Sequence, residues 1–249
     1  MTGEKNLMLK RMVLIGIGAA CLLTADDAPI EQVQVTHTER MDFPSGGVLT
    51  LKKSTGDLTV EGWDRPDMEI TTIKSTKSYH LKDRQAAAKN LDRIRLVTER
   101  HGDELTITTE FPRHEMLLRL LRGVSAFELQ YDIKVPRNAR LIIDHDSGNV
   151  YIDDVTGDVH VTNSVGQITL HLPQDGHYAV DAKCDLGSVD SDFPGPERGQ
   201  FFHLGHSLVS EASPAGAQKL YARMGVGDIM ILKIRKPSAP APLSPQGGH

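Results

Sequence analysis

The sequence predicts an all-β chain wound as a parallel β-solenoid of about twenty residues per coil. One short helix and one hairpin are inserted. The first observation behind this is a stretch from Leu141 to Leu170. There glycine is followed three times by a polar residue and an apolar-x-apolar pair: Gly148-Asn-Val-Tyr-Ile152, Gly157-Asp-Val-His-Val161 and Gly166-Gln-Ile-Thr-Leu170. Apolar residues two apart share one face of a strand, and a glycine beside Asp or Asn forms a corner. The second observation is that the pattern continues, in Gly176-His-Tyr-Ala-Val180, Gly187-Ser-Val-Asp-Ser191, a shifted Gly205-His-Ser-Leu-Val209 and Gly227-Asp-Ile-Met-Ile231. Every second corner falls at Gly148, Gly166, Gly187, Gly205 and Gly227, with Gly157, Gly176 and Gly216 between them. The third is composition: 39% hydrophobic but only 5% aromatic, so Val, Ile and Leu carry the core, which suits thin β-layers. An antiparallel β-sandwich or meander of nine-residue hairpin units is the alternative that the same alternation allows.

Taken in order, the 249 residues begin with an export signal. Lys5, Lys10 and Arg11 form a basic flank, and Met12 to Leu23 is an apolar run too short to span a bilayer comfortably. Residues 1–25 are expected to be a signal peptide or membrane anchor, and residues 26–32 a linker. Gly18-Ala-Ala-Cys21 has the form of a lipoprotein signal, which makes Cys21 a candidate lipidation site, with Gly18 standing where a bulky aliphatic residue is usual. Either fate of Cys21 leaves Cys184 alone, as a small buried hydrophobe rather than half of a disulfide.

Residues 33–235 are expected to form a single β-strand-repeat domain. Gly47-Val-Leu-Thr-Leu51 and Gly56-Asp-Leu-Thr-Val60 repeat the corner-strand pattern, and Met68-Glu-Ile-Thr-Thr-Ile73 alternates. Trp63, the single tryptophan, reads as a ring covering a sheet end, with a sugar-stacking platform as the other reading. Leu81 to Leu91 is helical, with its alanine run. Ile94 to Glu99 and Leu105 to Thr109 make a hairpin around Gly102-Asp103. Arg113 to Arg122 sets five apolar residues among three arginines, either as a loop helix or as a membrane- or partner-binding segment. Phe127 to Val135 alternates again. The tail 236–249 is proline-rich and expected to be disordered.

This order of elements resembles the bacterial putative-adhesin family, exported β-strand-repeat domains of largely unknown function. The residues that carry the likeness are Gly56-Asp-Leu-Thr-Val-Glu-Gly-Trp-Asp64, the alanine-rich helix and hairpin, Tyr131-Asp-Ile-Lys-Val-Pro136, the ladder from Gly148 to Leu170 and Gly225-Val-Gly-Asp-Ile-Met-Ile231. The motifs are structural. The resemblance implies a fold and an extracytoplasmic place, and no mechanism.

Chemistry is harder to find. Net charge is −5, without the clustered Lys and Arg that nucleic acid needs. Gly205-His-Ser-Leu-Val209 lacks the final glycine of a nucleophile elbow, so Ser207 is not read as catalytic. Eleven histidines include His203 and His206, yet none has zinc-ligand spacing. Asp144, Asp146, Asp153, Asp154 and Asp158 crowd the corners, where stacked coils would bring carboxylates together, but turn chemistry explains them equally.

No catalytic, metal or cofactor residues are assigned, and no cofactor is expected. The site residues singled out are the corner glycines Gly148, Gly157, Gly166, Gly187 and Gly227, and Cys21. The expected function is a non-catalytic envelope protein, periplasmic or at the cell surface, acting as an adhesin-like scaffold or interaction module. Its partner would be an envelope protein or glycan, with membrane contact through the N-terminal segment. A polysaccharide lyase or hydrolase on a β-helix is one alternative. A membrane-associated stress or regulatory protein, acting through Arg113–Arg122, is another.

Overall fold

The computed structural model describes residues 14–16, 33–76, 84–111, 127–174, 176–193, 197–199, 205–209 and 216–234. Alternation decides what goes inside. Strand β5 (Asp67–Thr76) buries Met68, Ile70, Thr72, Lys74 and Thr76. Strand β8 (Phe127–Pro136) buries Phe127, Leu129, Tyr131, Ile133 and Val135. Each buried Val, Leu, Ile or Phe contributes about 1.5–3 kcal/mol of transfer free energy. Exposed ion pairs such as Lys183–Asp185 contribute about 0–1 kcal/mol. The fold is therefore held by its aliphatic core.

The central strands are long and parallel. β9 (Arg140–Asp153) lies beside β10 (Val159–Pro173), and β10 beside β15 (Gln218–Ile234). β15 in turn pairs with β11 (Tyr178–Leu186) and β12 (Val189–Ser191). On the other side β9 pairs with β3 (Val48–Thr55) and β4 (Asp57–Trp63). Val150 stands opposite Ile168 and Leu141 opposite Val159, and all four are buried. Val161 is buried too. Each long strand bends once at a glycine, so the parallel block has two arms meeting at a crease. β3 and β11 supply outer members of the first arm, and β4 and β12 of the second.

The flanks are antiparallel. β2 (Gln34–Asp42) pairs with β5, and β5 with β8, which runs parallel to β4. A short strand, β1 (Leu14–Gly16), lies antiparallel on β2; it falls inside the expected leader. Helix α1 (Arg84–Leu91) leads into the hairpin of β6 (Arg95–His101) and β7 (Glu104–Glu110), and β7 runs parallel to β3. At the far side β14 (His206–Val209) is antiparallel to β11, and β13 (Glu197–Gly199) to β14.

The chain is thus all-β, but its single sheet, of fifteen strands among the described residues, is mixed. The purely parallel solenoid expected from the repeat is corrected on three points. Both flanks are antiparallel. The segment Gly205-His-Ser-Leu-Val209 is an antiparallel strand on β11 and not a coil. Successive repeats are not all neighbours either, because β15 inserts between β10 and β11. The physical reason is common to all three: alternation fixes which face a strand buries, and leaves its direction and its neighbours open. Cys21, Arg113–Arg122, His203 and the 236–249 tail lie outside the described residues.

Candidate functional site

The crease is the most constrained place in the molecule. Gly56, Gly148, Gly166, Gly227 and Gly187 stack there across neighbouring strands, all at positive φ, from 102° to 141°. A Cβ on Gly166 would overlap the Gly148 carbonyl, and a Cβ on Gly227 would overlap that of Gly166. Gly157 lies elsewhere, in the corner between β9 and β10. A Cβ there would overlap the Ala139 carbonyl.

Three residues before the crease glycines sits a second column: His145, Asn163, Met224 and Cys184, all buried. Three of the four, His145, Asn163 and Cys184, carry a donor that reaches the carbonyl of a crease glycine. His145 Nε2 donates to the Gly56 carbonyl at 2.9 Å and Asn163 Nδ2 to Gly148 at 2.9 Å. The Cys184 thiol donates to Gly227 at 2.9 Å. Because a carbonyl only accepts, His145 carries its proton on Nε2. Nδ1 then accepts from Ser54 Oγ at 2.7 Å. Burial lowers the His145 pKa, against the opposing pull of the Gly56 carbonyl. Burial raises that of Cys184, so the thiol stays protonated. These groups serve the backbone.

The outer face of the first arm is different. Thr50, Ile142, His160, Tyr221 and Asp181 stand opposite one another across five strands. The His160 and Tyr221 rings stack with centroids 4.2 Å apart. The Arg223 guanidinium lies 3.8 Å from the Tyr221 ring centroid and is held by Asp181 Oδ2 at 2.9 Å. Ile142 is 43% exposed. Further along the same strands Val165, Val226 and Leu186 form a second in-register row, about half exposed. An outward-facing strand surface ordinarily carries polar residues; here the polar row of Asp144, Thr162, Arg223 and Lys183 lies between the row of Ile142, His160 and Tyr221 and the aliphatic row of Val165, Val226 and Leu186.

The corner carboxylates do not converge on one site. Asp144 accepts from Thr162 Oγ1 at 3.3 Å, Asp153 faces His171 Nδ1 at 3.8 Å, Asp154 pairs with Arg137, and Asp158 caps the Lys219 amide at 2.9 Å. Asp146 is exposed. Among the described residues no three His, Cys, Asp or Glu side chains group as metal ligands. Ser207 and His206 lie on β14, in antiparallel pairing with β11. Trp63 donates its indole N–H to the Asp67 carbonyl at 2.8 Å, and Arg40, Arg65 and Lys134 lie within 6 Å of its ring.

Two hollows open on the described surface. One, about 640 Å³ and open, follows the corners beside Arg140, Asp158 and His177. The other, about 250 Å³, lies where β2 and β5 meet β6, and Lys74 lines it. Lys74 was missed in the sequence, although its phase with Met68, Ile70 and Thr72 marks it as inward-facing.

No family model matches the chain, and no curated protein does. Solved structures do. A putative cell adhesion protein from Clostridium sporogenes matches 81% of this chain and all of its own, at 13% identity and TM-score 0.45. A putative adhesin from Parabacteroides merdae matches 79% of this chain and 80% of its own, at 8% identity and TM-score 0.26. A putative lipid binding protein from Parabacteroides distasonis matches 80% and 97%, at 12% identity and TM-score 0.22. Likenesses this distant leave the function of this chain to be argued from its own residues.

Proposed function

We propose that this chain is an exported, non-catalytic interaction module of adhesin type that binds an envelope protein or glycan through the outer face of its first arm. The observation that carries the reading is the in-register row of Ile142, His160 and Tyr221, with a separate half-exposed row of Val165, Val226 and Leu186 further along the same strands. A ring fixed by stacking and by a guanidinium loses little freedom on binding. A row of such groups on a rigid sheet presents a flat platform to a sugar ring or an apolar patch. The parallel block is read as a short solenoid, in keeping with its 18-residue offset between β9 and β10. The basic flank and apolar run within residues 1–25 support export ahead of a domain spanning 33–235.

The test is retention of the purified chain on envelope material, compared with an Ile142→Ser/Tyr221→Ser variant. Tyr221→Ser removes the stack on His160 and the Arg223 contact, so the variant is expected to stay folded with a loss of about 1–2 kcal/mol, while retention falls at least tenfold. Equal retention of the two proteins would reject the platform.

A further inference from the structure

Lys74 sits on the inner face of β5 and is 8% exposed. Its Nζ donates to the Ile94 carbonyl at 2.6 Å. An ammonium has three donors, and no other acceptor for it is found among the described residues. Asp92, exposed on the link from α1 to β6, supplies an opposing charge across solvent. A buried charge so thinly matched is costly, and an apolar residue of the same length would fold at least as well. The ammonium is therefore not explained by packing. What it adjoins is the 250 Å³ hollow, whose walls include Ile70, Ile94 and Leu96 beside Arg95, with Glu39 at the β2 side.

We propose that this hollow binds a small monocarboxylate with a short apolar chain, its carboxylate on Lys74 Nζ and its chain against Ile70, Ile94 and Leu96. The chemistry follows from the lining. The two Lys74 N–H donors that have no acceptor among the described residues suit an oxyanion. Glu39 and Asp92 line the same hollow, alongside His37, and would repel a dianion. The volume falls just under the range of about 300–1,000 Å³ that holds drug-sized ligands. Burial lowers the Lys74 pKa from 10.5, with Asp92 opposing and Arg95 assisting; a bound carboxylate would raise it again.

The experiment is calorimetric titration of the full chain with butyrate, N-acetylvaline, glucuronate and inorganic phosphate, repeated on Lys74→Met. Butyrate or N-acetylvaline is expected to bind one to one, with phosphate and glucuronate at least tenfold weaker. The tighter of the first two tells a free acid from a peptide C-terminus. Lys74→Met is expected to weaken binding at least tenfold while keeping the unfolding midpoint. Should that variant not fold, Leu96→Glu, at the half-buried wall, is expected to abolish binding. No heat with any probe, equal binding by the substituted chain, or preference for phosphate or glucuronate overturns the proposal.

Discussion

At the scale of single residues, the crease shows how much a missing side chain can matter. Gly166 has φ of 135°, and an added Cβ would fall 1.9 Å from the Gly148 carbonyl oxygen. Gly166→Ala therefore combines left-handed strain with overpacking against backbone, each costing about 1–3 kcal/mol. A loss of about 2–5 kcal/mol is expected in a denaturant titration. Gly102, in the β6–β7 turn, also has positive φ but would set its Cβ in open space. Gly102→Ala is expected to cost about 1–2 kcal/mol. Equal costs at the two sites would show that φ, and not the stacked carbonyl, dominates. His145 makes a second residue-scale expectation. Burial holds its imidazole below the ordinary 6.5, so the unfolded chain takes up this proton first. Stability contributed by the neutral ring is complete above about pH 6.5. It falls as pH drops below that value, until the folded-state ring is itself protonated. His145→Gln is expected to flatten that part of the stability–pH curve; an unchanged slope would assign it to other groups.

At the scale of elements, β15 is the strand whose removal has most to reveal. It joins β10 to β11 and β12. Ending the chain before Gln218 is expected to abolish amide protection in β11 and β14 while β2, β5 and β8 keep theirs, as read by hydrogen exchange. A stack in strict chain order would merely lose its last layer. The elements themselves were largely legible in the sequence: the β6–β7 hairpin, the alternation of β8 and the helix, which is described over Arg84–Leu91. Pairing was less so. Gly227-Asp-Ile-Met-Ile231 has the same pattern as Gly187-Ser-Val-Asp-Ser191, and repeats so alike specify which residues stack without naming their neighbours. The shifted Gly205-His-Ser-Leu-Val209 alternates equally well in either direction. The polar column was within reach of periodicity, since His145, Asn163 and Cys184 keep phase with the buried residues before them.

At the scale of the whole molecule, the site was the least legible part. Ile142, His160 and Tyr221 are 18 and 61 residues apart in sequence, and only the register of three strands brings them into one row. No local motif marks such a platform. Lys74 shows the reverse case, a residue whose phase was readable while the hollow beside it depends on β6 crossing from another part of the chain. The placement of β15 also has a bearing on biosynthesis. A ribosome delivers β11 some thirty residues before β15, so β10 and β11 both wait with a bare edge until the last segment arrives. Such an interval is open to mispairing with other nascent chains. A protein built this way gains from a holding chaperone, and its parallel block is complete only once β15 is in place.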